Sequence, residues 1–291
     1  MKLHEMRELL AARGIQLTRS LGQSFLHDGN QLRRILALAR LQPGDHVLEV
    51  GPGLGPLTDH LLASGAAVCA IEKDSRLVEV LRERLAEPGP VAPTTATSSR
   101  LQLIHDDALA WLRREPRDWR GWKMVSNLPY SIASPLLVTL ADPERGPDLI
   151  VATLQLEVVQ RLAAAPGSKD YGILSVLVQL GYETAGSFKI PRTCFFPEPD
   201  VDSGCLGLSR RAVVALTPPE HRVFGRVIKR AFSERRKKAL KLLRFDWPAA
   251  VLAEAWPALG LPEDIRAERI TREQFIELAH RLAPYDGPPG R

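Results

Sequence analysis

Along the chain, hydrophobic and polar positions change period several times, predicting strands alternating with helices over roughly the first 200 residues and helices alone after that. Short apolar runs at 47–50, 67–71, 101–104 and 124–126 are too brief for helices and predict buried strands. The stretches 6–13, 31–41, 57–64, 76–85 and 108–113 read as helices, with Gly14 and Pro43-Gly44 as stops after the first two. This alternation predicts an open α/β sheet. Past Arg210, Thr217-Pro218-Pro219-Glu220 and Thr271-Arg272-Glu273-Gln274 are capping boxes opening helices, the first with proline at the first helical position. Two domains are expected, an α/β domain over 1–210 and a helical one over 211–291 whose last residues, 286–291, fray. The Pro/Ser/Thr-rich stretch 87–99 predicts a mobile surface insertion, and 20–28, which has no periodicity, a surface loop.

Composition changes this picture little. With 45% hydrophobic and 25% charged residues the chain reads as an ordinary globular protein of 291 residues. No apolar run reaches about 18 residues and the first residues lack a signal-peptide core, so no membrane contact and a cytoplasmic location are expected. Cys69, Cys194 and Cys205 are too few and too scattered for a cluster or a disulfide framework, and no metal site is expected. Charge is more informative. The chain carries +5, yet residues 222–244 alone hold ten bases against the single acid Glu234. Arg222, Arg226, Lys229, Arg230, Arg235, Arg236, Lys237 and Lys238 form the outer face of an apolar helical pattern through Val223, Phe224, Val227 and Ile228. Such a run is either a solvated face or a phosphate-binding one; ten bases favour RNA or DNA backbone, bound with salt-dependent affinity.

The sharpest local signal is Glu49-Val50-Gly51-Pro52-Gly53-Leu54-Gly55-Pro56-Leu57-Thr58, where an apolar strand ends in alternating glycines and Pro56 opens a helix. Open α/β sheets bind nucleotide-like ligands in such loops. The dinucleotide pattern G-x-G-x-x-G is not met, because Pro56 stands where its last glycine belongs; an adenosine ligand without a pyrophosphate fits better, and a dinucleotide oxidoreductase is disfavoured. Glu72 closes the second strand about 20 residues past the glycines and can accept both hydroxyls of a ribose, or be a solvated strand end. Asp107, after the third strand, can accept from an adenine amine or cap the helix that follows. Asn127-Leu128-Pro129-Tyr130 ends the fourth strand. A side-chain amide oxygen, a main-chain carbonyl held by proline and a flat ring suit an exocyclic amine on a planar base, although Asn-x-Pro is also a common turn.

With these motifs in this order the chain resembles the ribosomal RNA adenine dimethyltransferases. The resemblance runs through Gly22-Gln23-Ser24-Phe25-Leu26, the glycine loop, Glu72, Asp107-Ala108, Asn127 to Tyr130, the stretch 154–174, Phe195-Phe196-Pro197-Glu198-Pro199-Asp200-Val201-Asp202-Ser203, the basic segment and Arg266 to Ile270. It implies a Rossmann-like methyltransferase domain with a small all-helical domain that docks on rRNA, and S-adenosylmethionine as cofactor. Ser24, Leu26, Gly51, Gly53, Glu72, Asp107 and Asn127 would line the cofactor site. Asn127 and the Leu128 carbonyl, held by Pro129, would grip the target N6 amine, with Tyr130 and Phe195 packed on the flipped adenine. The implied substrate is a pair of adjacent adenosines in the 3′-terminal hairpin of small-subunit (16S) rRNA within the 30S subunit or its precursor, acted on by a monomer late in assembly. No pocket His or Lys is expected, since such an amine loses its proton after transfer. Ser24 stands where relatives carry Asn or His, and Glu198 and Asp200 make the Phe195 loop unusually acidic. A large-subunit rRNA methyltransferase conferring antibiotic resistance and a non-catalytic assembly factor remain the alternatives.

Overall fold

The computed structural model describes residues 1–17, 23–85, 100–212 and 216–286; the predicted insertion at 87–99 and the tail beyond Asp286 lie outside them. In chain order the elements are α1 (Leu3–Ala12), β1 (Phe25–Leu26), α2 (Gly29–Ala39), β2 (His46–Val50), α3 (Pro56–Ala63), β3 (Ala67–Glu72), α4 (Ser75–Leu85), β4 (Leu101–His105), α5 (Ala108–Arg114), β5 (Trp122–Asn127), α6 (Tyr130–Leu140), β6 (Leu149–Gln155), α7 (Leu156–Leu162), α8 (Ile173–Gly181), β7 (Tyr182–Ile190), β8 (Phe195–Phe196), β9 (Ser203–Arg210), α9 (Pro218–Ala231), α10 (Ala239–Leu243), α11 (Ala249–Ala258) and α12 (Arg272–Leu282).

Seven strands form one sheet in the order β4-β3-β2-β5-β6-β9-β7. β2 pairs in parallel with both β3 and β5, β4 extends the parallel set beyond β3, β6 extends it beyond β5, and β9 runs antiparallel to β6. Val47, Leu48, Val68, Ala70, Met124, Val125, Ile150 and Val151 are all buried, as expected for a parallel sheet covered on both faces. From β2 the chain steps outward to β4 and then returns to β5 on the other side, so the strand order reverses between β2 and β5. Connections leaving a reversal diverge to opposite faces, and a crevice opens at the carboxyl ends of the strands. The glycine run follows β2 and Asn127-Leu128-Pro129-Tyr130 ends β5, so topology alone brings these two motifs together.

The loop expected at 20–28 is corrected in its described part: Phe25 and Leu26 form β1, paired antiparallel with β8, Phe25 opposite Phe196 and Leu26 opposite Phe195. A two-residue strand is too short to show a period, and its partner lies some 170 residues on.

The chain divides into two compact units, Met1–Val159 with Glu183–Arg210, and Gln160–Tyr182 with Arg211–Arg291. The single cut expected after 210 is therefore corrected, because the segment 160–182 belongs with the helices. Val176 and Leu180 of α8 and the preceding Tyr171 share a buried core with Val223 and Phe224 of α9 and Phe275 and Leu278 of α12. The Tyr171 hydroxyl donates to the Ile270 carbonyl at 3.2 Å. In the second unit the Glu220 carboxylate accepts from both the main-chain N–H and the hydroxyl of Thr217, and Thr271 Oγ1 accepts from the Gln274 N–H, fixing the starts of α9 and α12.

Candidate active site

A cleft opens at the carboxyl ends of β2, β3 and β5, where open α/β sheets hold their ligands. Its floor is main chain. Gly51 and Gly53 have φ of 70° and 61°, a region that residues with a Cβ avoid. A Cβ on Gly51 would lie 3.0 Å from the Pro129 ring, and one on Gly53 only 2.5 Å from the Phe25 ring. The two glycines thus admit the β5 tetrapeptide on one side and the amino-terminal segment on the other.

That segment is latched across the cleft at several points. The Gln23 side-chain amide donates to Asp74 at 2.9 Å, the Ser24 hydroxyl donates to the Pro197 carbonyl at 2.7 Å, and the Ser24 carbonyl accepts from Asn127 Nδ2 at 2.9 Å. The last bond fixes the Asn127 amide and leaves Oδ1 as its acceptor. The short Ser24 side chain therefore ties the segment to the loop after Phe196, while its main chain orients Asn127. Pro129 sets the start of α6, and the Tyr130 hydroxyl meets Ser203 Oγ at 2.5 Å. Ser203 is fully buried, so the ring that lines the cleft is held from behind. Burial raises the Tyr130 pKa against the pull of that hydrogen bond.

Glu72 is nearly buried and accepts three main-chain N–H bonds, from Gly53 to Oε2 at 3.0 Å and from Lys73 and Asp74 to Oε1 at 2.9 Å each. Burial moves its pKa above the ordinary carboxylate value, with the three donors pulling the other way. Of about four acceptor positions on a carboxylate, three are taken, so a grip on two hydroxyls would have to share the remainder. Asp107 caps α5 through the Ala110 N–H at 3.0 Å and pairs with Lys73 Nζ at 2.9 Å, which lowers its pKa. The helix-cap reading is therefore met, and the residue lines the cleft as well. Behind the glycines, fully buried Glu49 accepts from the Thr58 hydroxyl at 2.7 Å, and burial pushes its pKa up to about 8.

Three expectations are corrected here. Leu26 and Phe195 do not line the cleft: facing each other in the β1–β8 pair, both are buried in the core with Val47, Leu57 and Val125. Phe25, the neighbour on the opposite face of β1, lines the cleft in their place, alongside Tyr130. Lys73 lines the cleft although no lysine was expected there, with its ammonium on Asp107. Gln23, Phe25 and Ser203 were not singled out; for Phe25 the available signal was a glycine at 53 with room for nothing larger.

The sequence profile of the family described as ribosomal RNA adenine dimethylase matches residues 14–284. The chain belongs to this family. A relative from Opitutus terrae, named ribosomal RNA small subunit methyltransferase A, is 41% identical over 272 residues that cover 90% of this chain and 94% of the relative. Among solved structures, the 23S rRNA methyltransferase ErmE is 26% identical with a TM-score of 0.65, covering 89% of this chain and 99% of its own. A dimethyladenosine transferase from Plasmodium falciparum has a TM-score of 0.69 at 23% identity, covering 89% and 97%, and shares the Rossmann-like methyltransferase fold.

In this dimethylase-family chain the basic segment lies in the second unit and is not one continuous helix: α9 ends at Ala231 and α10 starts at Ala239. Arg222, Lys229, Arg235, Arg236, Lys237 and Lys238 are exposed. Arg226 and Arg230, expected among the free bases, are instead engaged within the protein, Arg226 with Asp286 and Arg230 with Asp246 through bonds of 2.6 and 2.9 Å. In the Phe195 loop Glu198 is paired with Arg192 at 2.9 Å, which offsets part of the acidity seen in the sequence. Among the described residues, no cluster of His, Cys, Asp and Glu is arranged to hold a metal ion and no helix is long and apolar enough to cross a membrane.

Proposed function

We propose that this chain is an S-adenosylmethionine-dependent rRNA adenine N6,N6-dimethyltransferase acting on two adjacent adenosines in the 3′-terminal hairpin of small-subunit rRNA, late in 30S assembly. The observation that carries the reading is the orientation of Asn127: its Nδ2 is committed to the Ser24 carbonyl, so the amide oxygen remains as an acceptor beside the Leu128 carbonyl and the Tyr130 ring. Family membership supports the reaction, and the relative's small-subunit name, at higher identity than the large-subunit structure, favours that substrate.

The cleft suits the cofactor. Gly51 and Gly53 bring bare main chain to its floor, Phe25 and Ile71 offer apolar wall, and Glu72 and Asp107 offer carboxylates at the ends of adjacent strands. Those residues would hold S-adenosylmethionine, which when bound supplies an electrophilic methyl group. An adenine amine is a poor nucleophile because its lone pair is delocalised into the ring. Asn127 Oδ1 and the Leu128 carbonyl accept its two N–H bonds, favour a pyramidal nitrogen and localise that lone pair, so the protein contributes mainly position. Tyr130, braced by Ser203, gives the flipped base a face to stack on and offsets the few kcal/mol lost on leaving the RNA stack. Lys73, with its ammonium on Asp107, is not a free base, and none is needed because the amine releases its proton to water once methylated. The exposed bases of the second unit hold rRNA phosphates.

The test is methyl transfer from labelled S-adenosylmethionine to 30S subunits lacking the modification and, in parallel, to 50S subunits, followed by nucleoside mass analysis. N6,N6-dimethyladenosine in the 3′-terminal hairpin, absent with Asn127→Ala, is the expected result. Methylation only of 50S rRNA would establish the large-subunit reading, and tight subunit binding without any methylated product would establish the assembly factor.

A further inference from the structure

Phe245 is the most exposed large apolar side chain among the described residues, at 71%. Isolated exposed apolar residues are ordinary; the setting of this one is not. Around α10, Ala239, Leu240, Leu242 and Leu243 are buried, while Lys241 and, in the turn just past the helix, Arg244 and Phe245 are exposed within four residues of one another. The turn that carries Phe245 is fixed by its N–H bond to the Leu242 carbonyl at 3.2 Å, and buried Leu243 and Trp247 anchor it on either side. Arg230 stands 5.9 Å from the ring centroid and is itself held by Asp246, so the acid next to Phe245 is already neutralised.

We propose that Phe245 is a stacking platform for one unpaired nucleobase of RNA, with Lys241 and Arg244 meeting the adjoining phosphates. A flat ring among cations fits a single strand, because every base offers a π face and every linkage a negative charge. An apolar protein partner would want a contiguous apolar patch; the exposed neighbours here are charged. This inference rests on the RNA-substrate reading above and adds to it a site of contact outside the methyl-transfer cleft.

The experiment is fluorescence anisotropy of the full-length chain with a labelled oligoadenylate and with a fully paired RNA duplex, across a salt series. Phe245→Ala weakens oligoadenylate binding by about 5- to 100-fold, leaves duplex binding unchanged and leaves the slope of log affinity on log salt as it was. Phe245→Leu behaves like the alanine variant, Phe245→Trp binds as the wild type does, and Arg244→Gln lowers the slope by about 0.7. Unchanged oligoadenylate affinity in Phe245→Ala overturns the proposal, as does wild-type binding by Phe245→Leu. Normal oligoadenylate binding with lost association to whole subunits also overturns it and marks a protein-facing residue. Loss of affinity in a chain that methylates no adenine leaves this contact standing and removes the catalytic reading instead.

Discussion

The cleft at the carboxyl ends of β2, β3 and β5 and the basic surface of the second unit are built by opposite means. In the cleft each polar group is fixed before a ligand arrives: Glu72 by three main-chain N–H groups, Asn127 by the Ser24 carbonyl, Tyr130 by buried Ser203. The basic surface is defined by what it leaves exposed. Arg226 and Arg230 are drawn into ion pairs while their neighbours stay in water. Preorganised dipoles in a partly dry site distinguish one geometry from another; exposed charges are screened, and they set affinity and its salt dependence. On the proposed function, chemistry belongs to the first region and hold on the substrate to the second, and single substitutions should separate the two.

The largest effect is expected from Asn127→Ala, which removes the oriented acceptor. The single-turnover methyl-transfer rate should fall about 10²- to 10³-fold, while thermal unfolding shows the loss of no more than one hydrogen bond, about 1 kcal/mol. Next is Gly53→Ala. The new methyl group would meet the Phe25 ring in a backbone region that disfavours it, so calorimetry should show cofactor affinity reduced at least about 10-fold and stability lower by about 1–3 kcal/mol.

Glu49 tests the cleft by pH. Its pKa is raised in the folded chain, so its contribution to stability is complete below about pH 4.5, the unfolded value, and is lost as pH rises through about 8. Glu49→Gln keeps a neutral acceptor for Thr58. It should flatten the fall in melting temperature between pH 6 and 9 relative to wild type; parallel curves for the two proteins would mean that Glu49 is already ionised at pH 6.

Smaller effects fall on supports and surface. Ser203→Ala frees the Tyr130 ring and should slow transfer about 5- to 10-fold. In a Tyr130→Phe background, the same substitution should cost almost nothing, since the hydroxyl it braced is gone; additive losses would assign Ser203 a separate role. Arg235→Gln and Arg236→Gln should each lower the salt slope for rRNA binding by about one and leave cofactor affinity unchanged.

Much of this was legible along the chain. Apolar runs located β2 to β5 within two residues, and Gly51, Gly53, Glu72, Asp107 and Asn127 to Tyr130 all sit at the cleft because strand ends in a reversing parallel sheet converge there. What was not legible depends on partners distant in sequence. Which of Phe25 and Leu26 faces the cleft is decided by pairing with Phe195 and Phe196, and nothing near residue 25 encodes that register. Arg226 cannot be told from Arg222 without Asp286, 60 residues further on. The segment 160–182 looks like a continuation of the α/β pattern until its apolar face meets α9 and α12.

The division between the two regions is tested most directly by the single-turnover transfer rate as a function of 30S concentration, compared among wild type, Asn127→Ala and an Arg235→Gln/Arg236→Gln double variant. The double variant should need more substrate yet reach the wild-type rate at saturation, while Asn127→Ala stays slow at every concentration. Recovery of Asn127→Ala at high substrate would contradict the account, because Asn127 would then serve binding rather than the positioning of the amine.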